Sequence, residues 1–271
     1  LKITTKDGKE GWIYAGGVSP VEKNYETLFK PVVQNRVQKL LGDRLSNQLK
    51  RQKSLLKKVK IDRELAEVFR NLTNLKGQVN QVLHDEVALV DRKPPNMDWL
   101  NSYLPNMLLR RVAEGTMLHA FDYYEDWMAA AQRTTGKADD RFFELMYTFY
   151  PIDKIEHFYP AYFLQTWDYG GYSELGKGIH YQLFEKMNEN IALSDVFAPE
   201  IEIFKQKLLS DITSGEVSYW QSKDKILNEL DRIIAADFGF FTEADIIALK
   251  TRQKQFDNPE KHNIKVNMRA G

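Results

Sequence analysis

Residues 61–82 read IDRELAEVFRNLTNLKGQVNQV, and within them Ile61, Leu65, Val68, Leu72, Leu75, Val79 and Val82 alternate spacings of four and three. That is the a/d pattern of a helical seam. Gly77 costs about 1 kcal/mol of helix propensity relative to Ala but does not break the pattern. Pro94-Pro95 stops it. Upstream, Pro31 suits the first turn of a helix, and Val33, Val37, Leu41, Leu45 and Leu49 recur at every fourth residue. Residues 31–92 are therefore expected as two long helices, or one bent helix, forming an antiparallel hairpin or a projecting arm. The fold class that follows is mainly α: a short N-terminal β-hairpin, a long helical hairpin or arm over 20–95, then a multi-helix bundle over 96–257. An oligomer through residues 61–90 is one way of burying the seam.

Downstream the helical period continues. Met117, Phe121, Tyr124 and Met128 mark one face of a helix expected from about Leu104 to Gln132, with shorter helices near 138–149 and 152–167. A Gly170-Gly171 break precedes a helix at roughly 172–191. Ile201, Phe204, Leu208 and Ile212 define the next, and Ile226, Leu230 and Ile233 another. Thr242 opens the last as an N-cap, with Asp245 three residues on. The tail 258–271 is polar, with Ile264, Val266 and Met268 alternating. It is expected as a frayed terminus or as an edge strand pairing with the N-terminal hairpin.

The first nineteen residues differ in kind. Two β-prone runs, 1–5 and 11–14, flank Lys6-Asp7-Gly8-Lys9, and Asp-Gly between such runs predicts a hairpin. The run Thr5-Lys6-Asp7-Gly8-Lys9-Glu10-Gly11-Trp12-Ile13-Tyr14, followed by Gly16-Gly17-Val18, resembles the closing hairpin of a bacterial Src-homology-three-like domain. The resemblance covers residues 1–19 only. A barrel that folds alone needs roughly 60 residues, so it implies that the remainder lies before Leu1. Leu1 is not Met, which points the same way: a processed chain, or part of a longer one. Members of that family commonly sit in cell-envelope proteins, which implies a periplasmic location, with a lipoprotein as one full-length form.

Composition sets further bounds. The 271 residues are 43% hydrophobic and 28% charged, with 38 basic and 38 acidic side chains. Zero net charge gives no global attraction to nucleic acid or anionic membranes. No run approaches the ~18 apolar residues of a membrane span. The absence of cysteine excludes disulfides, thiolate metal sites and a cysteine nucleophile. No cofactor is expected.

Charge and aromatic residues are unevenly placed. From Arg36 to Arg63 there are ten basic residues and two acidic ones, densest at Lys50, Arg51, Lys53, Lys57 and Lys58. This is either a solvated helix face or a contact patch for phosphate, headgroups or an acidic partner. No aromatic residue interleaves its dense part, which argues against single-stranded nucleic acid. Sixteen of the thirty-three aromatic residues fall between Phe121 and Tyr172, in an acidic stretch. Aromatic rings beside carboxylates suit sugars or cationic peptides, and Tyr123, Trp127, Tyr159, Tyr162 and Trp167 are the candidate ligand contacts. The Phe residues are expected inside. His119, Asp122 and Asp126, read as one helix face, are the candidate metal set; Asp153, Glu156 and His157 are the candidate acid–base set.

Other signatures fail. Gly171-Tyr172-Ser173-Glu174-Leu175-Gly176 is one residue off a nucleophile elbow, Gly176-x-Gly178 lacks the third glycine of a dinucleotide loop, and Asp237-Phe238-Gly239 has nothing else of a kinase around it. The expected function is a non-enzymatic cell-envelope binding or scaffold module for a protein, peptide or wall-glycan (peptidoglycan) partner. The alternatives are a hydrolase acting on a glycan or peptide through an aromatic-acidic cleft in 119–172, and a cytoplasmic helical adaptor.

Overall fold

The computed structural model describes residues 2–5, 7–12, 26–87, 97–112, 116–151, 159–166, 170–215 and 217–268. Among them the chain is mainly α, with eight α-helices and three two-stranded antiparallel sheets. No described helix is long and apolar enough to cross a membrane. The chain divides into two compact units, Leu1–Val59 with Glu67–Trp127, and Lys60–Ala66 with Met128–Gly271.

In the first unit, β1 (Lys2–Thr4) pairs with β2 (Glu10–Trp12). Gly8, at φ 81°, supplies the left-handed residue that closes the turn, and Asp7 does not share that conformation. Helix α1 (Glu26–Leu56) begins before Pro31 and is kinked at Gly42, whose φ of 74° and ψ of 163° only glycine adopts readily. Val37, Leu41, Leu45 and Leu49 are buried as their spacing predicts, and Leu56 extends the row. Helix α2 (Asp62–Val87) runs unbroken through Gly77. Leu65, Val68, Leu72, Leu75 and Val79 are buried within the single chain. The ends of the seam differ from the expectation: Ile61 is 43% exposed, and Leu83 and Val87, not Val82, continue the row in the core.

The helix expected from Leu104 to Gln132 is not formed. Met107–Val112 (β3) and Met117–Asp122 (β4) make an antiparallel hairpin, and helix α3 covers only Tyr124–Ala131. Met107, Leu109 and Val112 on β3 and Leu118 and Ala120 on β4 carry the burial, largely at the strand period of two. The helical spacing of Met117, Phe121 and Tyr124 is overridden by what α2 offers the strand edge. Asn80 accepts the Ala120 N–H at 2.7 Å and donates to the Ala120 carbonyl at 3.1 Å, so a side-chain amide stands in for a neighbouring strand. Lys76 pairs with Asp122 beside it.

In the second unit, α4 (Ala138–Phe149) lies where its period placed it. Of the helix expected over 152–167, residues 152–158 lie outside the described residues. Phe163–Gln165 is instead strand β5, antiparallel to β6 (Gly171–Ser173). Gly171 makes that pairing possible: a Cβ there would sit 2.2 Å from the Phe163 ring. Helices α5 (Ile179–Leu193), α6 (Ala198–Thr213), α7 (Lys223–Ala235) and α8 (Glu243–Gln255) complete the unit. Thr242 and Asp245 form the expected capping box on α8. The buried Lys205 ammonium joins α6 to Asp245 at 3.2 Å.

Over the described part of the C-terminal tail, 258–268, neither expectation holds. Lys265 O accepts the Tyr219 N–H at 2.8 Å, Asn267 donates to Gln221 O at 2.9 Å, and Ile264 is buried. The partner of the tail is the segment 218–221. That segment in turn holds β6, because Ser173 donates to Ser218 O at 2.8 Å and accepts from Trp220 at 3.0 Å.

Candidate functional site

The aromatic segment splits into a core and a cleft. Phe142 stacks on Phe197 with centroids 4.1 Å apart, and Phe149 on Phe204 at 4.5 Å; all four are buried. These packed rings are worth ~0.5–1.5 kcal/mol per pair beyond their area burial. Tyr162 packs edge-on against Phe149 and lies 5.2 Å from the His180 ring. From that layer outward opens a cleft of about 340 Å³, with Tyr159, Tyr162, Phe163, Lys207, Asp211 and Val217 among its lining residues. Tyr159 and Phe163 form a near-parallel stack in its wall, 5.3 Å apart and 7° from coplanar.

Two charged groups from α6 enter the cleft one turn apart. Asp211 Oδ2 accepts Ser173 Oγ–H at 2.5 Å and faces His180 Nε2 at 2.8 Å. His180 is completely buried, and its Nδ1 has no hydrogen-bond partner among the described residues. The tautomer that fits is therefore Nε2–H donating to the carboxylate, which avoids an orphaned buried N–H. Lys207 Nζ donates to the Tyr150 hydroxyl at 2.8 Å and lies 5.3 Å from the Tyr150 ring centroid. Burial, then the negative charge of Asp211 and the neighbouring Tyr150, push the Tyr162 hydroxyl far above its usual range, so it stays protonated.

The residues singled out from sequence fall in different places. Tyr159 and Tyr162 do line a cleft. Trp127 does not: it is fully buried, edge-on to Phe69 at 5.0 Å. Tyr123 is half-buried just before α3, and Trp167 lies outside the described residues, as do Asp153, Glu156 and His157. Lys50, Arg51, Lys53, Lys57 and Lys58 are exposed along the end of α1 and the turn after it, where Lys53 donates to Ser102 O at 2.5 Å.

His119 and Asp122 stand on a strand rather than on the expected helix face, and Asp126 is in the first turn of α3. Each of the first two has a protein partner: Asn80 for His119 at 3.0 Å, Lys76 for Asp122. Among the described residues no group of three or more His, Asp or Glu is placed to hold a metal ion.

Burial, reinforced by the Lys76 charge, pulls the His119 pKa down from 6.5 to about 4. Below pH 6.5 the unfolded chain takes up a proton that the folded chain refuses until about pH 4. Stability from this contact is therefore complete above pH 6.5 and is lost as pH falls toward 4. The melting temperature of His119→Gln is expected to fall less than that of the wild type between pH 7 and pH 4.5. Parallel curves for the two proteins would show that His119 does not carry the effect.

No family model, curated protein or solved structure matches this chain. The reading of function rests on the cleft itself. Asp211, Lys207, His180 and Ser173 escaped the sequence reading because they come from α5, α6 and β6, and nothing in their spacing announces their meeting. The one local signal was Lys207 and Asp211 at i and i+4 on a helix whose other face is apolar.

Proposed function

We propose that this chain is a non-enzymatic binding module of the bacterial cell envelope that takes a peptide or wall-glycan ligand in the cleft on α6. The observation that carries this is the joining of an aromatic wall to two oppositely charged side chains in a concavity of ligand size. The envelope placement is supported by the N-terminal hairpin and its likeness to the bacterial Src-homology-three-like pattern. Binding to purified peptidoglycan sacculi, read by co-sedimentation, tests both halves. The wild-type chain is expected to pellet, and Tyr159→Ala to reduce its affinity about tenfold, the loss of ~1.4 kcal/mol of ring contact. Pelleting untouched by Tyr159→Ala would place the site elsewhere, and no pelleting would remove the wall as partner.

A second reading of the same cleft, hydrolysis of the bound glycan or peptide, is favoured by one feature: the Asp211 carboxylate held by Ser173 and His180, as a general base is held. Release of reducing ends or free amines from the pelleted sacculi decides between the two.

A further inference from the structure

We propose that the ligand of this cleft carries an α-amino-acid centre, an ammonium and a carboxylate on one carbon; this rests on the reading of the cleft as the binding site. Lys207 and Asp211 stand at i and i+4 on α6, a spacing at which opposite charges ordinarily pair. Among the described residues they form no ion pair with each other. Each is drawn away from behind. The Tyr150 hydroxyl and ring hold the ammonium, while Ser173 and His180 hold Oδ2 of the carboxylate. Both bonds to Asp211 fall on Oδ2, so Oδ1 keeps its acceptor sites, and Lys207 has used one of three donors.

The cleft thus presents a separated positive and negative group about one helical turn apart. A cationic ligand meets Lys207, and an anionic one meets Asp211. A neutral sugar covers both charges and satisfies neither fully, at the cost of their hydration. A zwitterion answers both at once: its ammonium on Asp211, its carboxylate on Lys207. The Tyr159–Phe163 stack then lies beside whatever the central carbon carries. A cleft of about 340 Å³ is the right order for a single amino-acid unit. Such a centre comes either as a free amino acid or at the end of a side-chain-linked peptide.

Calorimetric titration of the full chain separates these cases. L-phenylalanine is compared with 2-phenylethylamine and 3-phenylpropanoate, which keep the ring and carry only the ammonium or only the carboxylate. The zwitterion is expected to bind at least tenfold more tightly than either half. Lys207→Gln is expected to weaken the amino acid tenfold while bringing the amine level with it, and Asp211→Asn to do the same for the acid. A merely structural role would not produce this exchange of preference. Nε-acetyl-L-lysine, whose α-centre sits on an amide-bearing chain, identifies the source. Binding stronger than that of phenylalanine supports a peptide-borne centre, and weaker binding a free amino acid.

Equal binding of zwitterion and half-ligands by the wild type overturns the inference, whatever the variants do. If no amino acid binds while Tyr159→Ala still weakens pelleting with sacculi, the inference fails and the cleft remains the site. If both measurements are negative, both readings fail.

Discussion

Glu229→Ala is expected to lower the melting temperature of the second unit by ~10–15 °C, the largest effect of any single substitution in the cleft's surroundings. Helix α5 starts at Gly178, which has no side chain to cap the first turn. The cap comes from another helix. Glu229 of α7, 2% exposed, accepts the Gly176 N–H at 2.5 Å and the Gly178 N–H at 2.8 Å through Oε2, and the Tyr181 N–H at 3.0 Å through Oε1. A carboxylate at a helix N-terminus also meets the positive end of the helix dipole. Gly176 and Gly178, at φ 99° and 86°, turn their N–H groups onto it in a conformation that other residues adopt only with strain.

Removing the carboxylate takes the acceptor from three half-buried donors at once. Hydrogen bonds to charged groups are worth about 1.5–3 kcal/mol, and partial rehydration offsets some of the loss, so the net cost is roughly 4 kcal/mol. For a domain of this size that is ~2–4 °C per kcal/mol. Glu229→Gln keeps one acceptor oxygen and is expected to lose about half as much. Because α5 carries His180, both variants are also expected to loosen Asp211 and weaken ligand binding. A change of less than about 2 °C for Glu229→Ala, measured by thermal denaturation, would mean that the first turn of α5 is held by something else.

Arg252→Ala is expected to cost nearly as much, through the other end of the site. Arg252 is 2% exposed. Its Nε donates to Ile212 O at 3.0 Å, Nη2 to Ser214 O and to the Tyr219 hydroxyl at 2.9 Å each, and Nη1 to Gln255 Oε1 at 3.0 Å. Among the described residues it makes no ion pair with a carboxylate. Its charge is answered by the Ile212 and Ser214 carbonyls at the C-terminal end of α6, the negative end of that helix. Burial pushes the Tyr219 hydroxyl up to about 12 against the pull of Arg252, so it stays protonated and donates to Ile212 O at 2.8 Å.

Truncation takes a charged donor away from Ile212 O, Ser214 O and the Tyr219 hydroxyl at once, and ~3–4 kcal/mol is the expected loss. Arg252→Lys keeps the charge but not the planar fork. It should recover less than half of that stability, and recovery to the wild-type melting temperature would show that charge alone suffices. Asp211 and Ser214 lie at the end of α6 that Arg252 holds, so its loss is expected to reach the cleft as well.

Glu229 and Arg252 both act on backbone groups far from them along the chain, where a linear reading does not reach. Helices α2, α4, α6 and α7 were legible because apolar spacing is a property of neighbours along the chain: Leu65 to Val79 on α2 and Ile201 to Ile212 on α6 are buried at the intervals their sequence displays. The capping box of Thr242 and Asp245 was legible for the same reason. The hairpin β3–β4 was not. Met117, Phe121 and Tyr124 carry a helical spacing, and it is Asn80, about forty residues away, whose amide completes the strand edge. Strand β5 was hidden likewise, since its pairing depends on the room Gly171 leaves for the Phe163 ring.

The candidate site divides along the same line. An aromatic segment with ligand-binding character was visible, and Tyr159 and Tyr162 do line a cleft. That Trp127 belongs to the core was decided by the Phe69 ring of α2. That Asp211, Lys207 and His180 meet those tyrosines was decided by the packing of α5 on α6, the Ser173–Asp211 bond and the contact of Tyr162 with His180. The sequence by itself determined a mainly α chain, the span of its strongly periodic helices and their buried faces, because those follow from local repeats. The tertiary structure alone decided which short segments became strands and which charged groups gathered at the cleft. Except for the β5–β6 pairing, those outcomes depend on partners thirty or more residues apart, and on each buried donor finding its acceptor only once the chain has folded.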